Sequence, residues 1–206
     1  MLRTTLAALA VGVAAAAGPP PALLKPATLN AKAPASYTVE FTTTKGSFDV
    51  AVQRSLAPLG ADRFYNLVRA RFYDGVELFR VVSGFVVQFG ISGYPAVSQA
   101  WQNATIKDDP VKTSNVRGTI TFADAGPDTR TTQVFINLSK NASLDSQGFS
   151  PFGTVTKGMS VIDRFYNGYG DTPTSAQGTI ESQGNAFLKK QFPKLDVVLT
   201  ARIVSR

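Results

Sequence analysis

Two short runs of alternating apolar and polar residues, joined by a tight turn, constrain the fold of this chain most. The alternation covers Tyr37–Thr43 and Ser47–Gln53, and Thr44-Lys45-Gly46 lies between the two runs. Alternation with a period of two places every second side chain on one face of a strand. Two such runs joined by a short Gly-containing connection predict an antiparallel β-hairpin with one buried face.

Six further runs have the same strand character, and the segments between them contain few helical patterns. A helix is predicted to begin at Pro58, because Phe64, Leu67 and Phe72 share one stripe. A second amphipathic helix fits Met159–Tyr166. The further predicted strands are Leu78–Val82, Val86–Phe89, Gly118–Phe122, Gln133–Leu138, Phe152–Val155 and Leu195–Val204. Many short strands without a βαβ rhythm favour a closed barrel or a sandwich, and Gly90–Arg117 is predicted to be a long functional or decorating loop.

The N-terminal stretch has the anatomy of a secretory signal. Arg3 precedes twelve uncharged residues, Leu6–Ala17, which are followed by Gly18 and three prolines. The apolar run is shorter than the roughly 20 residues of a membrane-spanning helix. We therefore predict a signal or targeting segment at 1–18, a Pro/Ala-rich extended linker at 19–36 and one domain at 37–206. An uncleaved membrane anchor and an organelle transit peptide are the alternatives.

Two residue types are absent from the chain, and their absence excludes several kinds of chemistry. Without histidine there is no His-based acid–base catalysis or His-ligated metal, and without cysteine there is no thiol nucleophile or disulfide. The net charge of +7 comes from Lys and Arg residues that are scattered rather than grouped. A nucleic-acid interface usually needs a basic stripe, so none is predicted.

The remaining candidates for chemistry include pairs of carboxylates in loops. Asp108 and Asp109 could bind a hard cation, but their position before Pro110 favours a capping role in a turn. Asp124 and Asp128 flank Gly126-Pro127, which is again typical of a turn. No metal site is predicted from these residues.

The most informative segment is Phe79–Gly90, in which an arginine lies among apolar strand residues. An unpaired buried guanidinium is costly, so Arg80 needs either solvent or a partner. If Ser83-Gly84 turns the chain, then Arg80, Phe85 and Gln88 face one pocket. The alternative is an edge-strand arginine that points to solvent.

This segment resembles the signature of cyclophilins, the peptidyl-prolyl cis–trans isomerases, with Arg, Phe and Gln at the family's relative spacing. Two further blocks resemble the family independently, and the resemblance runs from about Tyr37 to the C-terminus. The further blocks are Arg117–Thr129 with Thr132–Ile136, and Leu144–Phe149 with Phe152–Val155. The resemblance implies a closed eight-stranded antiparallel β-barrel capped by two α-helices.

The resemblance also implies roles for individual residues. Arg80 corresponds to the catalytic arginine, with Phe85 and Gln88 in the same site, and Gln133 would hold Arg80 or the substrate. Ala123 and Asp124 would offer backbone groups to an extended peptide. The proline pocket would be walled by Phe122, Phe135 and Leu144, with Phe149 at a position where relatives carry His or an aromatic residue.

Several positions depart from the family pattern without touching the Arg–Phe–Gln set. Ser83 replaces a usual proline, Phe79 a frequent His, and Phe122 a frequent Met. Asp124 stands where many members have Asn, and Ser143 where some have a Trp at the pocket rim. These departures bear on rim specificity and predict weakened binding of cyclosporin-like cyclic peptides.

The predicted function is therefore that of a peptidyl-prolyl isomerase that assists folding of proline-containing polypeptides, as an exported monomer without a cofactor. One alternative is a non-catalytic module or holdase that grips proline-containing segments. A barrel that binds small apolar ligands is a third possibility, but such a cavity has no use for Arg80.

Overall fold

The computed structural model describes residues 18–205, which form one antiparallel sheet with short helices around it. The strands are β1 (Ser36–Thr43), β2 (Gly46–Gln53), β3 (Val76–Glu77), β4 (Arg80–Val82), β5 (Val86–Phe89), β6 (Thr119–Phe122), β7 (Val134–Asn137), β8 (Pro151–Lys157) and β9 (Val197–Ser205). The α-helices are α1 (Pro58–Arg69), α2 (Pro95–Trp101), α3 (Met159–Ile162), α4 (Gln177–Gln183) and α5 (Asn185–Gln191). Short 3₁₀ helices cover Pro21–Leu24, Pro26–Thr28, Ala142–Gln147 and Thr172–Ala176.

The predicted hairpin is confirmed. β1 and β2 pair antiparallel from Ser36 opposite Gln53 to Thr43 opposite Gly46. The alternation directs one face of each strand into the core, where the rings of Phe41 and Phe48 stack at 4.9 Å between centroids. Gly46 has a φ of +123°, a backbone conformation that suits glycine at the turn.

The sheet has the strand order β3-β9-β1-β2-β8-β6-β7-β5-β4. The mainly β, antiparallel architecture with helices is thus confirmed, while residues 18–205 contain nine strands instead of eight. The predicted strand Leu78–Val82 is shortened to Arg80–Val82, which pairs with β5, and an unpredicted strand at Val76–Glu77 pairs with β9. The two end strands of the sheet are therefore consecutive in the chain.

Helix α1 packs against the sheet through the aromatic core. The ring of Phe64 lies 5.0 Å from that of Phe152 and 6.1 Å from that of Phe41. The N-cap residue Ala57 makes no side-chain capping bond. Asp109 supplies the cap from another part of the chain, since its carboxylate accepts the N–H groups of the first helical turn.

The segment 90–117 is not wholly a loop, because it contains helix α2. The indole Nε1 of Trp101 at the end of α2 donates to the carbonyl of Leu23 at 2.9 Å. The N–H of Ala31 donates to Oδ1 of Asn66 in α1, and Nδ2 of Asn66 donates to the carbonyl of Ala31. The stretch predicted as an extended linker is thereby packed on α1 and α2, with Leu23 and Ala33 buried.

The helices near the C-terminus also differ from the prediction. α3 ends at Ile162 rather than Tyr166, and α4 and α5 follow it within 177–191, where no helix was predicted. Residues 18–205 thus contain five α-helices, whereas the resemblance implied two. The apolar run Leu6–Ala17 of the predicted signal segment lies outside the described residues, and none of the helices within 18–205 has the length and apolarity needed to cross a bilayer.

Candidate active site

The site is built on the hairpin formed by β4 and β5. Gly84 adopts a φ of +70° in the turn, and the N–H of Phe85 donates to the carbonyl of Val82 at 3.0 Å. This register places Arg80 directly opposite Gln88. Cross-strand partners project to the same face, so the two polar side chains meet.

Arg80 is held in place by its neighbours. Its Nη1 donates to Oε1 of Gln88 at 2.9 Å, and its Cζ lies 5.5 Å from the centroid of the Phe85 ring. The guanidinium is largely covered, because the side chain is only 23% exposed. The structure therefore brings Arg80, Phe85 and Gln88 together, and Arg80 is not a solvent-directed edge residue.

A cavity of about 200 Å³ opens beside the guanidinium. Eight of the ten predicted site residues line it. The lining residues are Arg80, Phe85, Val86, Gln88, Ala123, Asp124, Phe135, Leu144, Phe149, Thr174 and Gln177.

The floor and one wall of the cavity are apolar. Phe135 and Leu144 are buried and pack together with Phe85, Ala123 and Phe149 in a small cluster separate from the main core. The rings of Phe135 and Phe149 meet edge to face at 5.6 Å. Such a surface suits a compact apolar ring and excludes water from it.

Phe122 does not wall this cavity, contrary to the expectation from the resemblance. Its side chain is fully buried in the main core, with its ring 5.3 Å from that of Phe152. The cause is strand alternation. Phe122 pairs with Val134 on the core face, whereas the next residue of β7, Phe135, faces the cavity.

Gln133 lies one step further from the cavity than expected. Its Oε1 accepts a hydrogen bond from Nε2 of Gln88 at 2.9 Å, so it holds Gln88 and acts on Arg80 only through that residue. Gln133 lines a second depression, of about 450 Å³, which adjoins the first.

Ala123 and Asp124 form the edge between the two depressions. The N–H of Ala123 donates to the carbonyl of Gln133 at 3.0 Å, so this N–H is already used inside the sheet. Oδ1 of Asp124 accepts the N–H of Gly126 at 3.1 Å, which is the predicted turn. Partial burial raises the pKa of the Asp124 carboxyl above its ordinary value.

Besides Val86 of β5, three contributors to the site were not predicted, and these three come from the segment after β8. Thr174 and Gln177 line the cavity, and Oδ1 of Asp171 lies 2.5 Å from Nε of Arg80. No short-range pattern links these residues to the hairpin 80–88, because about 90 residues separate them in the chain. Only the packing of α4 and its preceding turn brings them close.

Within residues 18–205, acidic side chains do not gather in groups of three or more that could hold a metal ion. The site places the Arg80 guanidinium, a fixed cation, beside an apolar cavity. Nη2 of this group makes no hydrogen bond to the described residues. This arrangement can grip a small ring and donate hydrogen bonds to an adjoining amide.

Comparisons with known proteins agree with this arrangement. The family model for cyclophilin type peptidyl-prolyl cis-trans isomerase matches residues 38–185. A peptidyl-prolyl cis-trans isomerase from Acinetobacter baylyi is 34% identical over 157 residues, which cover 73% of this chain and 80% of that protein. Peptidyl-prolyl cis-trans isomerase A from Dickeya dadantii is 38% identical over 140 residues, covering 63% and 70% of the two chains.

A solved structure shows the same fold. The crystal structure of a cyclophilin type peptidyl-prolyl cis-trans isomerase from Cryptosporidium parvum superposes with a TM-score of 0.58 at 17% identity, and it covers 83% of this chain and 99% of that one. Because the family model matches more than two thirds of this chain, the chain belongs to the cyclophilin-type peptidyl-prolyl cis-trans isomerases.

Proposed function

We propose that this isomerase accelerates rotation about X–Pro bonds with Arg80 as its catalytic residue. The amide resists rotation by about 18–20 kcal/mol, because the nitrogen lone pair is delocalised into the carbonyl. In the twisted state the lone pair is localised on the prolyl nitrogen, which can then accept a hydrogen bond. A guanidinium N–H donates to that nitrogen more strongly in the twisted state than in the planar one, and this difference lowers the barrier.

The apolar cavity serves as the seat for the proline ring. Phe85, Phe135, Leu144 and Phe149 surround the space next to the guanidinium. Water excluded from this space cannot compete for the guanidinium N–H, so the hydrogen bond to the prolyl nitrogen is worth more. No covalent bond is made or broken, and the reaction proceeds with these side chains alone.

The observation that carries this mechanism is the placement of the guanidinium. Gln88 holds Arg80 from Nη1 at the mouth of a cavity of about 200 Å³, which is suited to a small ring. The substrates we propose are proline-containing polypeptides in which the segment before the proline lies along Ala123 and Asp124. The carbonyl of Ala123 is the backbone group offered to that segment.

The test is an exchange assay on short X–Pro peptides, with Arg80→Ala and Arg80→Lys. We expect Arg80→Ala to lower kcat/KM by about a hundredfold or more, the usual effect of removing a transition-state donor. Arg80→Lys should also lose much of the activity, since an ammonium lacks the planar fork of donors. Arg117→Ala is the matched control, because Arg117 pairs with Asp163 away from the site.

Two outcomes would count against the proposal. Full activity of Arg80→Ala would remove Arg80 from the mechanism. Binding of proline peptides by the unmodified protein without any acceleration of exchange would instead favour the binding-module or holdase function.

We also propose that the sheet closes into a barrel where β3 meets β4. The two end strands are joined only by Leu78 and Phe79, which are almost fully buried at 0% and 1% exposure. Closure at this point would fix Arg80, the next residue, relative to the core. Slow amide hydrogen exchange at 78–80, comparable with that of β1, is the expected result.

We propose further that the protein is exported and acts as a monomer. The basic and apolar stretch at the N-terminus supports export, and a site built wholly from one chain supports the monomer. N-terminal sequencing of secreted or lumenal material should find a chain beginning after the Ala-rich run, whereas intact Met1 in a cytosolic fraction would contradict export. Sedimentation should give the mass of one chain.

A further inference from the structure

The segment Asp171–Gln177 supplies a second contact to the guanidinium of Arg80, in addition to that of Gln88. Oδ1 of Asp171 lies 2.5 Å from Nε of Arg80, while Oε1 of Gln88 accepts from Nη1. Asp171 and Arg80 form an ion pair, but the geometry at Nε is not that of a hydrogen bond. An ion pair at Nε and a hydrogen bond at Nη1 together constrain the orientation of the planar group, while Nη2 has no hydrogen-bond partner among the described residues.

Asp171 is itself positioned by the turn that follows it. The Thr174 hydroxyl donates to Oδ1 of Asp171 at 3.0 Å, and the Thr174 N–H donates to the carbonyl of Asp171, also at 3.0 Å. Pro173 is buried and fixes the backbone between them. The carboxylate is 62% exposed, yet its rotamer is set by a neighbour that lines the cavity.

A second connection runs from the same segment to Arg80 through three glutamine side chains. Gln133 donates from Nε2 to Oε1 of Gln177 at 3.0 Å, and Gln88 donates in turn to Gln133 at 2.9 Å. Gln88 then accepts from Arg80. The start of α4 thus determines the position of the acceptor that holds Nη1.

The segment is anchored to the strand that carries Arg80. Ile180 of α4 and Leu188 of α5 are buried in a small apolar cluster with Phe79, the residue before Arg80. The cluster is separate from the main core, and its other buried members are Ile91 and Leu195. Phe79 therefore links the packing of α4 and α5 directly to the catalytic strand.

From these contacts we infer that Asp171 and Gln177 are positioning residues for the isomerase reaction. This inference rests on the proposed role of Arg80. Asp171 holds the Nε edge of the guanidinium, and Gln177 holds the Nη1 edge through Gln133 and Gln88. The segment between β8 and β9 is then a working part of the active site.

The first test is kinetic. Asp171→Ala should lower kcat by about tenfold and leave KM for a short X–Pro peptide nearly unchanged, because misplacing a catalytic group acts on the reaction step. Asp171→Ala combined with Gln177→Ala should lower kcat by about a hundredfold. Asp171→Glu, which restores a carboxylate at an exposed position, should recover most of the lost rate.

The matched control is Asp163→Asn. Asp163 forms an ion pair with Arg117 of comparable length at 2.7 Å, outside the cavity. This variant should have the kcat of the unmodified protein. Because Asp171 is exposed, its variants should fold, and near-ultraviolet circular dichroism checks that they do.

The second test reads the guanidinium directly. In ¹⁵N-labelled protein the Arg80 Nε–H resonance is identified by its absence from Arg80→Lys. Asp171→Ala should shift this resonance and speed rotation of the guanidinium, whereas Asp163→Asn should change only the signal of Arg117.

The outcomes separate the inference from the proposed function. If Arg80→Ala is inactive but the Asp171 and Gln177 variants keep full kcat, the positioning role is wrong and the role of Arg80 stands. Loss of activity with an unchanged Arg80 resonance would also overturn positioning, since it would show a purely structural effect. Full activity of Arg80→Ala would overturn the proposed function itself.

Discussion

Ser143 is an exposed residue at the start of the 3₁₀ helix 142–147, directly before Leu144 of the cavity wall. Its own carbonyl accepts hydrogen bonds from Ser146 and Gln147. The side chain carries no indole that could donate to a ligand or cover apolar surface. We therefore expect position 143 to affect only ligands that extend beyond the cavity, because in the proposed mechanism the reacting amide lies at Arg80.

We predict that Ser143→Trp strengthens the binding of a cyclosporin-like cyclic peptide about 10- to 100-fold. One added hydrogen bond and its apolar contact are worth roughly 1–3 kcal/mol, and each 1.4 kcal/mol is a factor of ten. Titration calorimetry measures the affinity, and the exchange assay should give kcat within a few-fold of the unmodified protein. Unchanged affinity would place control of the rim elsewhere, for example at Asp124.

Phe79 shows how one residue can belong to two parts of the molecule. It replaces a residue type that is frequently His in the family, and it is 1% exposed. Its ring packs with Ile180 of α4 and Leu188 of α5, and an apolar side chain at this position suits that packing. The departure from the family pattern has a packing reason.

At the scale of elements, the contact between β3 and α5 contains a buried carboxylate. Glu77 is 4% exposed, and its Oε1 has no hydrogen-bond partner among the described residues. Burial raises the pKa of Glu77 to about 7, although Lys189 of α5 acts in the opposite direction. Folding therefore favours the protonated form of this side chain.

We predict that the free energy of unfolding falls as the pH rises from about 4.5 to 7, by up to roughly 3 kcal/mol from this group. The folded-state pKa is raised, so the stabilisation is complete below the ordinary pKa and is lost as the pH passes about 7. Glu77→Gln should remove this part of the pH dependence in urea unfolding. Glu40→Gln, on the exposed face of β1, should retain it.

At the scale of the whole molecule, Asp109 joins three distant parts of the chain. Its carboxylate accepts the N–H groups of Leu59 and Gly60 at 3.0 and 2.9 Å and pairs with Arg130 at 3.2 Å. Asp109 and Arg130 are both buried, at 5% and 3% exposure. For Asp108 and Asp109 the sequence favoured a capping role in a turn over a cation site, and Asp109 caps the start of α1.

We predict that Asp109→Ala lowers the free energy of unfolding by about 3–5 kcal/mol, because it removes the more buried of the two carboxylates that pair with Arg130 and leaves the start of α1 without its cap. Asp108→Ala should cost clearly less, since Asp108 is 34% exposed and Arg130 keeps Asp109. Denaturant unfolding monitored by tryptophan fluorescence measures both. Equal effects of the two substitutions would contradict the assigned role of Asp109.

The sequence alone determined the features that depend on near neighbours. The β1–β2 hairpin follows from alternation and one turn, and the β4–β5 hairpin needs only Gly84 to bring Arg80 and Gln88 together. Period and turn chemistry act over a few residues, so both are readable without the fold. The face of the sheet on which a strand residue lies was predicted less well. Phe122 was expected to wall the proline pocket, but its side chain is buried in the core.

The tertiary structure decided the features that join distant segments. α4 and α5 have seven residues each, and each buries one residue, Ile180 in α4 and Leu188 in α5. Helices this short are marginal by themselves and are stabilised by docking, here against Phe79. The same docking brings Asp171 to Arg80 across about 90 residues, a contact that no local pattern encodes because its energy arises only when the sheet and the helices are packed together.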